Sequence, residues 1–258
     1  MKEFDELVEI VGKLRDSDGG CPWDLEQTPG SLIPNFIEEL YEAIEAIENN
    51  DHEHLSEELG DLLLHIIMQA QMAKEEKLFS IEKVLKKINE KLVRRHPHVF
   101  GDKSIHDPNQ VKMNWEKIKL KEKEHSRKSV IDGIPKSMPS LITAQRMQEK
   151  AASVGFDWKS VQPAIEKLHE EVKEFENAFS DGDIKEIQNE VGDMLFSIVN
   201  ISRKMGFDAE SSLKKTIRKF ERRFKMIEKH HHDNQKDINE SSLEQLDEIW
   251  DIAKKSEL

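Results

Sequence analysis

Two stretches of the chain carry the same carboxylates in the same order. Glu38, Glu39, Glu42, Glu58 and Asp61 become Glu170, Glu171, Glu174, Glu190 and Asp193, each by adding 132. A lone Glu-Glu-x-x-Glu is most often a solvated helix face. The Glu-x-x-Asp that follows changes the reading, because Asp61 has Leu59, Leu62, Leu63 and Leu64 for neighbours and Asp193 has Val191, Met194, Leu195 and Phe196. Both aspartates are expected to point into an apolar bundle, where an unpaired charge costs several kcal/mol. Asp is also a poor helix-interior residue, and the preceding Gly60 or Gly192 gives up about 1 kcal/mol relative to Ala. Function or close helix packing is the expected return for such losses.

A spacing of three places Glu39 with Glu42, Glu58 with Asp61, Glu171 with Glu174, and Glu190 with Asp193 on common helix faces. Two antiparallel helices can therefore gather four carboxylates. At ~4 Å and an effective dielectric near 20, each pair repels by roughly 4 kcal/mol, so the group calls for protonation or a cation. All-oxygen ligands favour Mg²⁺, with Mn²⁺ as the alternative, over zinc. Magnesium keeps water and substrate phosphates in its shell, which points to phosphate chemistry rather than a closed structural site.

The helices that must position these groups are legible from periodicity. Ile33, Phe36, Ile37, Leu40, Ile44 and Ile47 recur at steps of three and four, describing one buried face over residues 31–48. A more apolar helix runs over 55–73 and should sit deep in a bundle. Further helices are predicted at 3–15, 81–95, 108–124, 139–153, 163–179, 184–205, 209–230 and 241–255. Strand-type alternation is nearly absent, so the expected class is all-α.

The duplication extends past the carboxylates. Trp23 and Trp158 differ by 135, as do Trp115 and Trp250, and Lys91, Arg94 and Arg95 map onto Lys219, Arg222 and Arg223 by adding 128. Small changes in loop length explain the different offsets. The charged segment 119–137, with its Asp-Gly and Ile-Pro steps, marks the expected junction. Residues 1–128 and 129–258 are thus expected to form two tandem helical bundles.

The net charge of -13 argues against a nucleic-acid polymer as partner, since affinity for phosphate backbones comes from clustered Lys and Arg. The single Cys21 fits a reducing compartment. With no apolar run long enough to span a membrane and no signal-like N-terminus, a soluble, cytoplasmic protein is expected. His230, His231 and His232 read as a solvated turn, and His96 and His98 as a loop after a helix.

These residues resemble the MazG family of nucleoside triphosphate pyrophosphohydrolases, whose pattern is Glu-Glu-x-x-Glu followed by Glu-x-x-Asp. The resemblance spans nearly the whole chain, including Gly20-Cys21-Pro22-Trp23-Asp24, the segment Arg94 to Phe100, Val154-Gly155-Phe156-Asp157-Trp158 and Lys219-Phe220-Glu221-Arg222-Arg223. It implies two MazG-like helical domains, a homodimer, and hydrolysis of standard or aberrant NTPs and dNTPs to monophosphate and pyrophosphate. It also implies a catalytic C-terminal repeat and a largely structural N-terminal one. Carried onto this chain, Glu171, Glu174, Glu190 and Asp193 hold Mg²⁺. Lys167, Glu170, Glu171, Lys219, Phe220, Glu221, Arg222, Arg223 and Trp250 would contact nucleotide. The mechanism expected beside it is attack of a metal-activated water on the α-phosphorus, with Glu170 or Glu171 helping to deprotonate that water. Glu39, Glu42, Glu58 and Asp61 form a second candidate metal set. Some relatives place a basic residue where Glu186 stands here, with Lys185 beside it. Asn200 has Met68 as its counterpart.

Two rival readings follow from the same residues. A di-metal carboxylate bundle normally wants Glu-x-x-His on two helices; Glu166 and His169 have that spacing, but their counterparts are Pro34 and Ile37. A non-catalytic helical scaffold leaves Asp61 and Asp193 unexplained.

Overall fold

The computed structural model describes residues 2–101, 107–122 and 129–255, and among these there are only helices and connecting segments. Part of the expected junction, 123–128, lies outside the described residues, as does the predicted end of the 108–124 helix. The chain divides into two compact units, Met1–Ile105 and His106–Leu258.

The first unit holds α1 (Lys2–Leu14), α2 (Pro22–Glu26), α3 (Ile33–Asn49), α4 (His52–Glu75), α5 (Ile81–Arg95) and α6 (Pro97–Phe100). Its centre is α4, which packs against α1, α3 and α5. Val11, Leu32, Ile67, Met68, Ala70, Met72 and Ile81 form the buried cluster, with Phe4, Leu7, Leu63 and Val84 closing its sides. Arg15 ties the end of α1 to the end of α4 through Glu75, at 2.7 Å, and also donates to the carbonyls of Asp24 and Gln27.

The second unit holds α7 (Pro108–Glu122), α8 (Ser140–Ala152), α9 (Gln162–Asp181), α10 (Ile184–Met205), α11 (Ala209–Asp233) and α12 (Leu243–Lys255), with a 3-10 turn at Ile238–Glu240. Here α10 is central and packs against α8, α9 and α11.

The carboxylate-bearing helices form the same tight hairpin in both units. In the first, α3 ends on Asn50 at φ 56°, and the side chain of Asp51 accepts from the His54 N–H to start α4. In the second, α9 ends on Gly182 at φ 73°, and Asp183 accepts from the N–H groups of Lys185 and Glu186. A left-handed residue followed by an Asp cap reverses the chain in two residues, forcing the flanking helices antiparallel.

Three expectations are corrected. The stripe on α3 is not buried within the chain: Ile33, Phe36, Ile37, Leu40 and Ile47 are exposed, and the helix buries Ala43 and Ala46 instead. Likewise Leu59 and Ile66 of α4 face outward. Periodicity detects an apolar face, but it does not say what covers it. The histidine tract is helical rather than a turn. His231 is buried, with Nδ1 at 2.8 Å from the Ile227 carbonyl and Nε2 at 2.8 Å from Ser241 Oγ, while its neighbours His230 and His232 are exposed.

Close packing does not explain the mid-helix glycines either, since a Cβ on Gly60 or Gly192 would meet nothing within 4 Å. Gly60→Ala is therefore expected to raise stability by about 0.5–1 kcal/mol in urea denaturation. A loss of stability would mean that another surface approaches the backbone there.

Candidate active site

In the second unit the α9–α10 hairpin brings Glu171, Glu174 and Glu190 together, each offering an oxygen within 4.8 Å of the others. Glu171 is buried, Glu190 half-buried and Glu174 exposed. Asp193 lies one turn beyond Glu190, whose pKa is raised first by burial and then by the charges of Glu174, Glu171 and Asp193. It is exposed, however, so the expectation that it points into an apolar core is corrected. Its apolar neighbours Val191, Leu195 and Phe196 are exposed as well, and Asp193 lies on the wall of a cavity.

The first unit repeats the arrangement with Glu39, Glu58 and Asp61 inside the same 4.8 Å limit, and Glu42 nearby. Glu58 is buried, with His54 Nε2 2.8 Å from its Oε1, and His65 Nε2 approaches Glu39 at 3.9 Å. Burial lowers the His65 pKa despite the opposing pull of Asp61, which favours a neutral ring at neutral pH.

Crowding shows in the proton affinities. Burial, contact with Glu58 and the charges of Asp61 and Glu42 push the Glu39 carboxyl up to about 7. Burial, followed by a hydrogen bond with Glu171, raises Glu174; burial, followed by the charge of Glu174, raises Glu190. Some charge is balanced locally, since Lys167 Nζ pairs with Glu170 at 2.7 Å and Glu171 at 2.8 Å.

The donor set suits a hard divalent cation. It is all oxygen, and one buried oxygen in each cluster, Glu58 Oε2 and Glu190 Oε2, has no hydrogen-bond partner among the described residues. Such an atom is what a ligand to a metal looks like without its metal.

Beside the C-terminal cluster opens a cavity of about 660 Å³, on whose wall Lys167, Glu171 and Asp193 lie. Other wall residues come from the segment before α8 (Ile131), from α8 (Met147, Gln148), the loop after it (Phe156, Asp157, Trp158) and α10 (Phe196, Ser197, Asn200, Arg203). Arg203 fixes the loop by pairing with Asp157 at 2.6 Å, and Lys204 holds Asp157 at 2.9 Å and the Trp158 carbonyl. Burial would raise the Asp157 pKa, but these two cations outweigh it and hold the carboxyl below its usual range. Beyond Lys167, Glu171, Asp193, Asn200 and the Val154 to Trp158 segment, the wall residues do not stand out in the sequence. The available signal was the cation pair Arg203-Lys204, opposite an acid in that segment.

Lys219, Phe220, Glu221, Arg222 and Arg223 lie on α11 and Trp250 on α12, and none of them lines this cavity. Trp250 packs on Phe220, with ring centroids 5.1 Å apart, and the Arg223 guanidinium sits 5.5 Å above its ring. The indole thus joins α12 to α11 and orients a cation.

The profile of the MazG nucleotide pyrophosphohydrolase domain matches residues 27–100 and 159–228, one segment in each unit. The chain is 47% identical to the nucleoside triphosphate pyrophosphohydrolase/pyrophosphatase MazG of Thermotoga maritima, over 97% of this chain and 95% of that protein. It is 40% identical to the nucleoside triphosphate pyrophosphohydrolase of Escherichia coli K12, over 100% of this chain and 99% of that protein. An uncharacterized Bacillus subtilis protein, YabN, is 44% identical over 99% of this chain but only 52% of its own length.

A carboxyl whose pKa rises on folding, as Glu39 does from 4.5 to about 7, binds its proton more tightly when folded. It therefore destabilises the metal-free protein increasingly as pH climbs through that window. Glu39→Gln should stabilise EDTA-treated protein at pH 8 by on the order of 1–2 kcal/mol, and by almost nothing near pH 4. Thermal melts at both pH values measure this, and a destabilised Glu39→Gln at pH 8 would contradict it.

Proposed function

The chain belongs to the MazG nucleotide pyrophosphohydrolase family, and from that premise we propose that it hydrolyses nucleoside triphosphates to the monophosphate and pyrophosphate. One observation carries the reading: three crowded carboxylates, one with an orphaned oxygen, lie beside a cavity lined by aromatic and amide side chains. Neither a scaffold nor a solvated acidic face requires that combination. The di-metal bundle is disfavoured because His169 is exposed and stands outside the cluster.

Glu171, Glu174, Glu190 and Asp193 would hold Mg²⁺, or Mn²⁺ in its place. When bound, such an ion supplies Lewis-acid polarisation of phosphoryl oxygens and acidifies a coordinated water. Glu170 or Glu171 accepts the proton of the water attacking the α-phosphorus, and Lys167 holds both carboxylates in place while limiting their charge. Lys219, Arg222 and Arg223 meet the charge building on the departing pyrophosphate, with Trp250 orienting Arg223.

The proposal extends to broad nucleotide specificity, to residues 129–258 as the catalytic repeat, and to residues 1–128 as the mainly structural one with a second cation site at Glu39, Glu42, Glu58 and Asp61. It includes a cytoplasmic homodimer. The outward-facing Phe36, Ile37, Leu40, Leu59 and Ile66 support a second copy, since so many large apolar side chains are costly to leave in water.

Pyrophosphate release from a panel of NTPs and dNTPs, with and without Mg²⁺, tests the reading. Glu174→Gln should lower kcat by roughly 100-fold or more, with Glu42→Gln staying within a few-fold of wild type. Equal losses would move catalysis out of the second repeat, and no pyrophosphate from any nucleotide would end the hydrolase reading.

A further inference from the structure

Gln148 on α8 is only 7% exposed, lines the cavity, and leaves one polar atom unsatisfied. Its Nε2 donates to the Phe196 carbonyl at 2.9 Å. A carbonyl can only accept, so this bond fixes which way the amide faces and makes the orphaned atom an acceptor. That atom, Oε1, has no hydrogen-bond partner among the described residues. Asn200 is oriented by the opposite logic. Its Oδ1 accepts from Arg203 Nη2 at 2.7 Å and from Nε at 3.2 Å, and a guanidinium can only donate, so Nδ2 is the donor that this cavity-lining amide has left to offer. Arg203 is itself held by Asp157, so the orientation of Asn200 is built into the loop.

The N-terminal repeat lacks this pair. Subtracting 132 from Ser197, Asn200 and Arg203 gives His65, Met68 and Gln71. Met68 is 4% exposed and belongs to the apolar cluster of the first unit. Where one repeat fills the space with a thioether, the other keeps a cavity with an acceptor and a donor on its wall.

We propose that Gln148 and Asn200 read the nucleobase of the substrate: Gln148 Oε1 accepts from a base N–H and Asn200 Nδ2 donates to a base oxygen or ring nitrogen, with Phe156 and Trp158 offering flat apolar surface beside them. This rests on the nucleotide-hydrolase reading above. All common bases carry a donor next to an acceptor, so the pair accepts each of them while requiring a base. Arg203 acts as a positioning residue, through Asn200.

The test compares ATP with purine riboside triphosphate, which lacks the 6-amino donor, on wild type, Gln148→Met and Asn200→Leu. Wild type should favour ATP in kcat/KM by about tenfold or more. Gln148→Met should bring that ratio close to one, because the partner of the amino group is gone; Asn200→Leu should raise KM for both nucleotides. The wild-type comparison needs no variant to fold. Equal use of the two nucleotides by wild type, or an unchanged ratio in Gln148→Met, would overturn the assignment. Equilibrium dialysis of adenosine monophosphate separates the two claims. Binding lost in Gln148→Met supports the base site even if no pyrophosphate is ever released, whereas binding unaffected by Gln148→Met refutes it.

Discussion

Mutual repulsion among carboxylates is the constraint that shapes each unit. Glu171, Glu174 and Glu190 lie within a few ångströms of one another because α9 and α10 are joined by a two-residue reversal, and Asp193 adds to the field on Glu190. Such a group stores unfavourable energy that helix packing alone must otherwise bear. The chain relieves part of it with Lys167, while burial first, and then the neighbouring carboxylates, still raise the proton affinities of Glu174 and Glu190. A divalent cation would complete the balance. A cluster that is uncomfortable without its ion is well suited to a site where that ion arrives with a phosphate-bearing substrate.

Duplication turns this constraint into an internal control. Both hairpins use a left-handed residue followed by an Asp cap, and both gather three carboxylates with one orphaned oxygen. The two units diverge where α4 and α10 leave the acidic cluster. In the first, His65 and Met68 are buried, and Val11 of α1 packs into the same apolar cluster as Met68. In the second, Ser197, Asn200 and Arg203 line open space shared with Gln148 of α8. The two carboxylate clusters are thus alike in composition, while Ser197, Asn200 and Arg203 beside the second are replaced by His65, Met68 and Gln71 beside the first.

Much of this was legible in the sequence, because carboxylate order and helical period are local properties. Among the described residues ten long helices follow from apolar spacing, and the short α2, α6 and the 3-10 turn escape because they span too few residues to show a period. Helix-face arithmetic also placed Glu171, Glu174 and Glu190 near one another. What failed was direction. The stripe of Phe36, Ile37 and Leu40 is apolar without being covered by its own chain, and Asp193 sits among apolar neighbours in sequence yet faces outward. The burial of His231 depends on Ser241, ten residues away across a turn. Gln148 escaped notice because nothing local distinguishes it from any helix-surface glutamine; its meaning comes from the Phe196 carbonyl on another helix.

Anomalous diffraction from crystals grown with Mn²⁺ tests directly whether a cation is what holds the carboxylates together. A peak bounded by oxygens of Glu171, Glu174 and Glu190 is expected, at the short distances of direct coordination. Carboxylates splayed apart into solvent with no peak between them, in crystals soaked at saturating metal, would contradict it.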